Sequence, residues 1–123
     1  ETTPGYGNRE NKKDLRRAAM TSQISTQQFD ELISSGVTLL DFSASWCGPC
    51  KALEPVITQL SDQYADQAVI KKIDIDSNRD LAVQMGIQSV PTLIVFKDGQ
   101  EKQRLIGMQR KDALQKALDA ALS

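Results

Sequence analysis

The chain has 123 residues, enough for one domain with a real core. Its 40% hydrophobic and 25% charged content is that of a soluble globular protein, and a net charge of −1 gives no basic excess for nucleic acid. No apolar run approaches the roughly 20 residues that cross a bilayer, so no membrane partner is expected.

Residues 1–20 hold few large apolar side chains, and Pro4, Gly5 and Gly7 interrupt any early element. They read as a flexible arm, a tag, leader remnant or linker, before a compact domain over 21–123. Arg9, Lys12, Lys13, Arg16 and Arg17 make the arm mildly basic, but Glu10 and Asp14 break the run, which fits a solvated tail. The arm lacks the apolar centre of a signal peptide. A weak strand signal lies around 22–24.

Ser25 and Gln28 fit a capping box, and Phe29, Leu32 and Ile33 follow at helical spacing, with Gly36 as the stop. Residues 37–43 form a nearly continuous apolar run, the pattern of a strand buried on both faces. Next comes Trp46-Cys47-Gly48-Pro49-Cys50-Lys51. Leu53, Val56, Ile57, Leu60 and Tyr64 then mark one helical stripe, in which Pro55 predicts a kink. Val69, Ile70, Ile73 and Ile75 support a second buried strand, and residues 78–85 a short helix ending at Gly86. Thr92–Phe96 reads as a strand, Asp98-Gly99 as a tight turn, and 101–106 as the returning antiparallel strand. Leu114, Ala117, Leu118, Ala121 and Leu122 give the stripe of a last helix. This order predicts an α/β fold, a central mixed sheet of four to five strands with helices on both faces.

Cys47 and Cys50 are the only cysteines, and the chain has no histidine. Two thiols cannot by themselves build a structural zinc site or a disulfide scaffold. A Cys-X-X-Cys between a strand and a helix points to a redox-active dithiol. Cys47 at a helix start faces free N–H groups and the positive end of the macrodipole, which favour a thiolate. Cys50, three residues on, lies within reach of its sulfur. A bridge closing so small a loop constrains the unfolded chain little, so a purely structural staple is disfavoured. Asp41 stands six residues before Cys47 in a buried run. There its carboxyl pKa should rise and it can exchange a proton with Cys50; turned to water at the strand end, it would do neither.

Asp41 to Lys51, the loop Val90-Pro91-Thr92, the turn Phe96-Lys97-Asp98-Gly99 and Gly107 together resemble the thioredoxin family over roughly residues 21–123. The resemblance implies that Cys47 attacks a substrate disulfide, that Cys50 resolves the mixed disulfide, and that Lys72 accompanies Asp41 beneath them. It implies a cis Pro91 with the Val90 backbone open to substrate. Trp46, Gly48, Pro49, Ile87, Val90, Gly107 and Met108 would form the docking surface. Gly-Pro between the cysteines goes with reducing members. No bound cofactor is implied. Disulfide-containing proteins would be the substrates, and electrons would come from a thioredoxin reductase, flavin- and NADPH-dependent or ferredoxin-linked. A cytoplasmic monomer is expected. Ser43 departs from the many members with tryptophan there, which leaves a smaller aromatic wall. Two other readings use the same residues: a membrane-linked or secreted domain serving a dedicated partner, and a non-catalytic interaction module.

Overall fold

A computed structural model describes residues 20–21 and 23–123. The elements are β1 (Met20–Thr21), α1 (Thr26–Ile33), β2 (Val37–Ser43), α2 (Gly48–Gln63), β3 (Ala68–Asp74), α3 (Arg79–Gln84), β4 (Thr92–Lys97), β5 (Gln100–Ile106) and α4 (Lys111–Leu122). The five strands form one mixed sheet in the order β1-β3-β2-β4-β5, with β1 and β2 parallel to β3 and the β2–β4 and β4–β5 pairs antiparallel. β2 is central, and all seven of its residues are buried.

Alternation along β2 sorts the core into two halves. Val37 and Leu39 point to one face and pack with Leu53, Ile57 and Leu60 of α2 and Leu114 and Leu118 of α4. Leu40 and Phe42 point to the other and pack with Phe29 and Leu32 of α1 and Leu81 of α3. Asp41 and Ser43 continue the Leu39 row, so the same alternation that fills the core puts both polar side chains on the α2 side.

Local signals explain most boundaries. The Ser25 hydroxyl accepts from the Gln28 N–H, and the Gln28 side chain accepts from the Ser25 N–H, closing the predicted capping box. Helix α1 ends at Ile33 with Ser34 as its cap, a little before the predicted stop; Gly36 then takes a positive φ of 72° that turns the chain into β2. Helix α2 runs unbroken through Pro55 to Gln63. The first strand lies at Met20–Thr21 rather than 22–24. It is held beside Lys72 and Ile73 of β3, while the Ile24 N–H leaves the sheet and donates to Asn78 Oδ1 at 2.9 Å. The rest of the predicted arm lies outside the described residues.

The β4–β5 turn, with Asp98 and Gly99 both at positive φ, reaches back to the start of β2. The Asp98 N–H donates to the Gly36 carbonyl at 2.9 Å, and the Gly36 N–H donates to Asp98 Oδ1 at 2.8 Å.

Candidate active site

The dithiol sits where β2 hands over to α2, at the opposite end of β2 from the Gly36–Asp98 clasp. Cys47 is the N-cap of α2, and its Sγ accepts a hydrogen bond from the Cys50 N–H at 3.2 Å. Gly48 and Pro49 fill the first turn and are exposed, and an N–H missing there breaks no helical bond. A disulfide joins Cys47 and Cys50, whose Cα atoms lie 5.3 Å apart. Cys47 is 6% exposed and Cys50 1%, so Cys47 is the sulfur nearer to solvent. Both pack with Ala44, Ile75 and Val90.

Three loops surround the sulfurs. The Val90–Pro91 peptide is cis, and the Val90 carbonyl oxygen lies 3.8 Å from Cys47 Sγ. Thr92 Oγ1 donates to the Ser89 carbonyl at 2.7 Å and fixes this turn. The Gly107 N–H donates to the Pro91 carbonyl at 2.8 Å, which ties the end of β5 to the same loop. Gly107 has φ +88°, a backbone state that glycine takes without strain. Met108 follows it, exposed, as is Ile106 before it. Trp46 is 68% exposed, yet its ring is not loose: Nε1–H donates to Asp76 Oδ2 at 2.8 Å. Ile87, expected in this surface, is half-buried and packs against the α1-side core.

A buried polar layer lies on the sheet at the end of β2 that leads to the dithiol. Asp41 is fully buried and pairs in register with Lys72 on β3, as Ser43 does with Asp74. Burial pushes the Asp41 carboxyl up to about 7; the Lys72 charge opposes the rise and the Glu54 charge adds to it. Neither Asp41 oxygen has a hydrogen-bond partner among the described residues, and the same holds for Ser43 Oγ and Asp74 Oδ1. Lys72, with its side chain 6% exposed, forms its ion pair with Glu54 of α2 rather than with Asp41. Glu54 and Asp76 were not singled out from the sequence. Glu54 could have been found as the helical neighbour four residues after Cys50. Asp76 sits in a loop thirty residues from Trp46, and no sequence pattern links the two.

The thioredoxin family model matches residues 20–120. Among curated relatives, thioredoxin of Staphylococcus haemolyticus is 45% identical over 100 residues, 81% of this chain and 96% of that protein. Thioredoxin of Staphylococcus aureus is 44% identical over the same shares. A thioredoxin variant from Halobacterium salinarum superposes with a TM-score of 0.77 at 37% identity, covering 85% of this chain and 92% of that one. Mitochondrial thioredoxin 3 from Saccharomyces cerevisiae, in its oxidized form, gives 0.73 at 32%, covering 83% and 93%. With a Cys-X-X-Cys disulfide capping a helix beside a cis-proline loop, and with this sequence kinship along nearly the whole sheet, the chain belongs to the thioredoxin family and is a thiol–disulfide oxidoreductase that reduces protein disulfides.

Proposed function

We propose that Cys47 is the attacking thiol and Cys50 the resolving thiol of this reductase, with Asp41 as the proton-exchanging group. The observation that carries the assignment is the position of Cys47, at the N-terminus of α2 and nearer to solvent than Cys50. The helix dipole contributes about 0.3–1 kcal/mol to its thiolate, against about 1.36 kcal/mol for one pKa unit. The Cys50 N–H that points at Cys47 Sγ adds a donor to the anion.

In the reduced protein, the Cys47 thiolate attacks one sulfur of a substrate disulfide. That S–S bond breaks, a mixed disulfide forms, and the departing substrate thiolate takes a proton. Cys50 then gives its proton to the Asp41 carboxylate and attacks Cys47 Sγ. The mixed disulfide breaks, the second substrate thiolate leaves and is protonated, and the Cys47–Cys50 disulfide remains. Two electrons have passed to the substrate; of the two protons its thiols gain, one balances the proton given up by Cys50 and the other comes from solvent, where it went when the Cys47 thiolate formed. A carboxyl raised to about 7 is a far better match to a thiol than an ordinary carboxylate, which suits it to this exchange near neutral pH.

Trp46, Gly48, Pro49, Val90, Pro91, Gly107 and Met108 form the docking surface in this reading. Exposure of Trp46 and Met108 supports it, and so does the Val90 carbonyl next to Cys47. Lys72 and Glu54 complete the charge environment of Asp41. Electrons return through a thioredoxin reductase, flavin- and NADPH-dependent or ferredoxin-linked, and the domain works as a monomer in the cytoplasm without the N-terminal arm. Among the described residues, no helix is long and apolar enough to cross a membrane. Insulin reduction driven by dithiothreitol tests the assignment: Cys47→Ser abolishes turnover if it holds, and wild-type turnover in that variant refutes it. NADPH oxidation in the presence of a flavin reductase tests the electron source, and the 20–123 fragment tests the domain boundary.

A further inference from the structure

The Lys72–Glu54 ion pair joins groups in very different surroundings. The lysine side chain is 6% exposed, and that of Glu54 is 51% exposed on the rim of α2. Lys72 is the in-register neighbour of Asp41, and Glu54 lies one helical turn beyond Cys50 on α2. Asp41, Lys72 and Glu54 thus run from the buried layer below Cys50 to solvent. The other elements facing Asp41 add little competing charge. From β3, Asp74 lies two residues further along the same row; from α2 comes Cys50; from β4 the register neighbour is Leu93; and α4 presents Leu114, Ala117, Leu118 and Ala121. Lys71 points to the opposite face of the sheet.

We propose that Glu54 is a positioning residue for the proton step at Cys50: it holds the Lys72 ammonium toward the rim, away from Asp41, and thereby sets the pH at which Asp41 exchanges its proton. The proposal rests on the reading of Asp41 given above. Released from Glu54, the ammonium would be free to turn onto the two unpartnered Asp41 oxygens. A lysine in direct contact stabilises the carboxylate and makes it a weaker base. The present directions agree, since the Lys72 charge favours the Asp41 carboxylate and the Glu54 charge disfavours it.

The test is a carbon-13 NMR titration of the Asp41 carboxyl in the full chain, assigned with Asp41→Asn, together with the pH profile of mixed-disulfide resolution. Glu54→Gln keeps the shape of a half-exposed side chain, so it leaves the protein folded. It should lower the Asp41 midpoint by roughly half a pH unit or more, the size of one partly screened charge interaction. Lys72→Met should raise the midpoint. In the Lys72→Met background the effect of Glu54→Gln should shrink, because the charge it positions is gone. A midpoint that stays or rises in Glu54→Gln overturns the proposal, as does an undiminished shift without Lys72. A resolution profile unchanged by Asp41→Asn overturns instead the proton role of Asp41, whatever the midpoints do.

Discussion

Asp41 and Lys72 are direct neighbours across two parallel strands, yet the lysine's ion pair is with Glu54. The buried carboxyl therefore feels a positive charge without being neutralised by a bond to it. Burial wins over that charge, and the group stays protonated to about pH 7. Full pairing would favour the carboxylate, and removal of Lys72 would push the proton on more tightly.

This imbalance has a stability consequence. The Asp41 pKa is about 7 in the folded chain and 3.8 unfolded, so between these values the folded state binds more protons. Stability therefore falls as pH rises through this window and levels off above it. The shift corresponds to a penalty of at most about 4 kcal/mol at high pH. Asp41→Asn removes the titration. Its stability relative to wild type should climb between about pH 4 and 7 and then plateau, as measured by urea unfolding at a series of pH values. A difference that does not vary with pH would place the carboxyl in water.

Lys71 should show the opposite slope. It is buried on the α1 side of the sheet, and desolvation lowers its pKa to about 8 from 10.5. Between these values the unfolded chain binds more protons, so stability rises with pH. Lys71→Met removes this titration, so its stability relative to wild type should be highest below about pH 8 and fall between about pH 8 and 10.5. The same unfolding series checks it.

Cys50→Ser should stop the reaction half-way. Cys47 can still attack, but nothing resolves the product. Incubation with a disulfide-containing protein should accumulate one covalent adduct, visible by mass spectrometry and reversed by dithiothreitol. Cys47→Ser should form far less.

Trp46→Ala should act on binding. The ring is mostly exposed and oriented by Asp76, the arrangement of an anchor that needs little ordering when a partner docks. Loss of the indole should raise KM for a protein substrate by roughly fivefold or more, the factor for about 1 kcal/mol of contact, with kcat little changed. Stability should move by less than about 0.5 kcal/mol, as at other surface positions.

Much of this was legible in the residues. The capping box at Ser25, the Asp98-Gly99 turn and the apolar run 37–43 are local signals, and each forms the element it predicts. Cys47 and Cys50 point to their chemistry by their spacing together with their place between a strand and a helix, and period-2 alternation from Leu39 sets Asp41 on the α2 side. What local patterns do not hold is partner choice between distant segments. Lys72 faces Asp41 in register but bonds Glu54, and Trp46 is held by Asp76; both outcomes depend on how α2 and the β3–α3 loop sit on the sheet. The first strand lies two residues before its weak sequence signal, because two residues of pairing leave almost no pattern to read.

The Gly36–Asp98 clasp gives the molecule an inert pole. Its two reciprocal hydrogen bonds close the start of β2 against the hairpin tip, one strand length, roughly 20 Å, from the sulfurs. A label, linker or solid support attached nearby, at exposed Gln100 or Lys102, would point the dithiol outward. The chain could then be displayed on a surface with its reactive end free to meet large substrates.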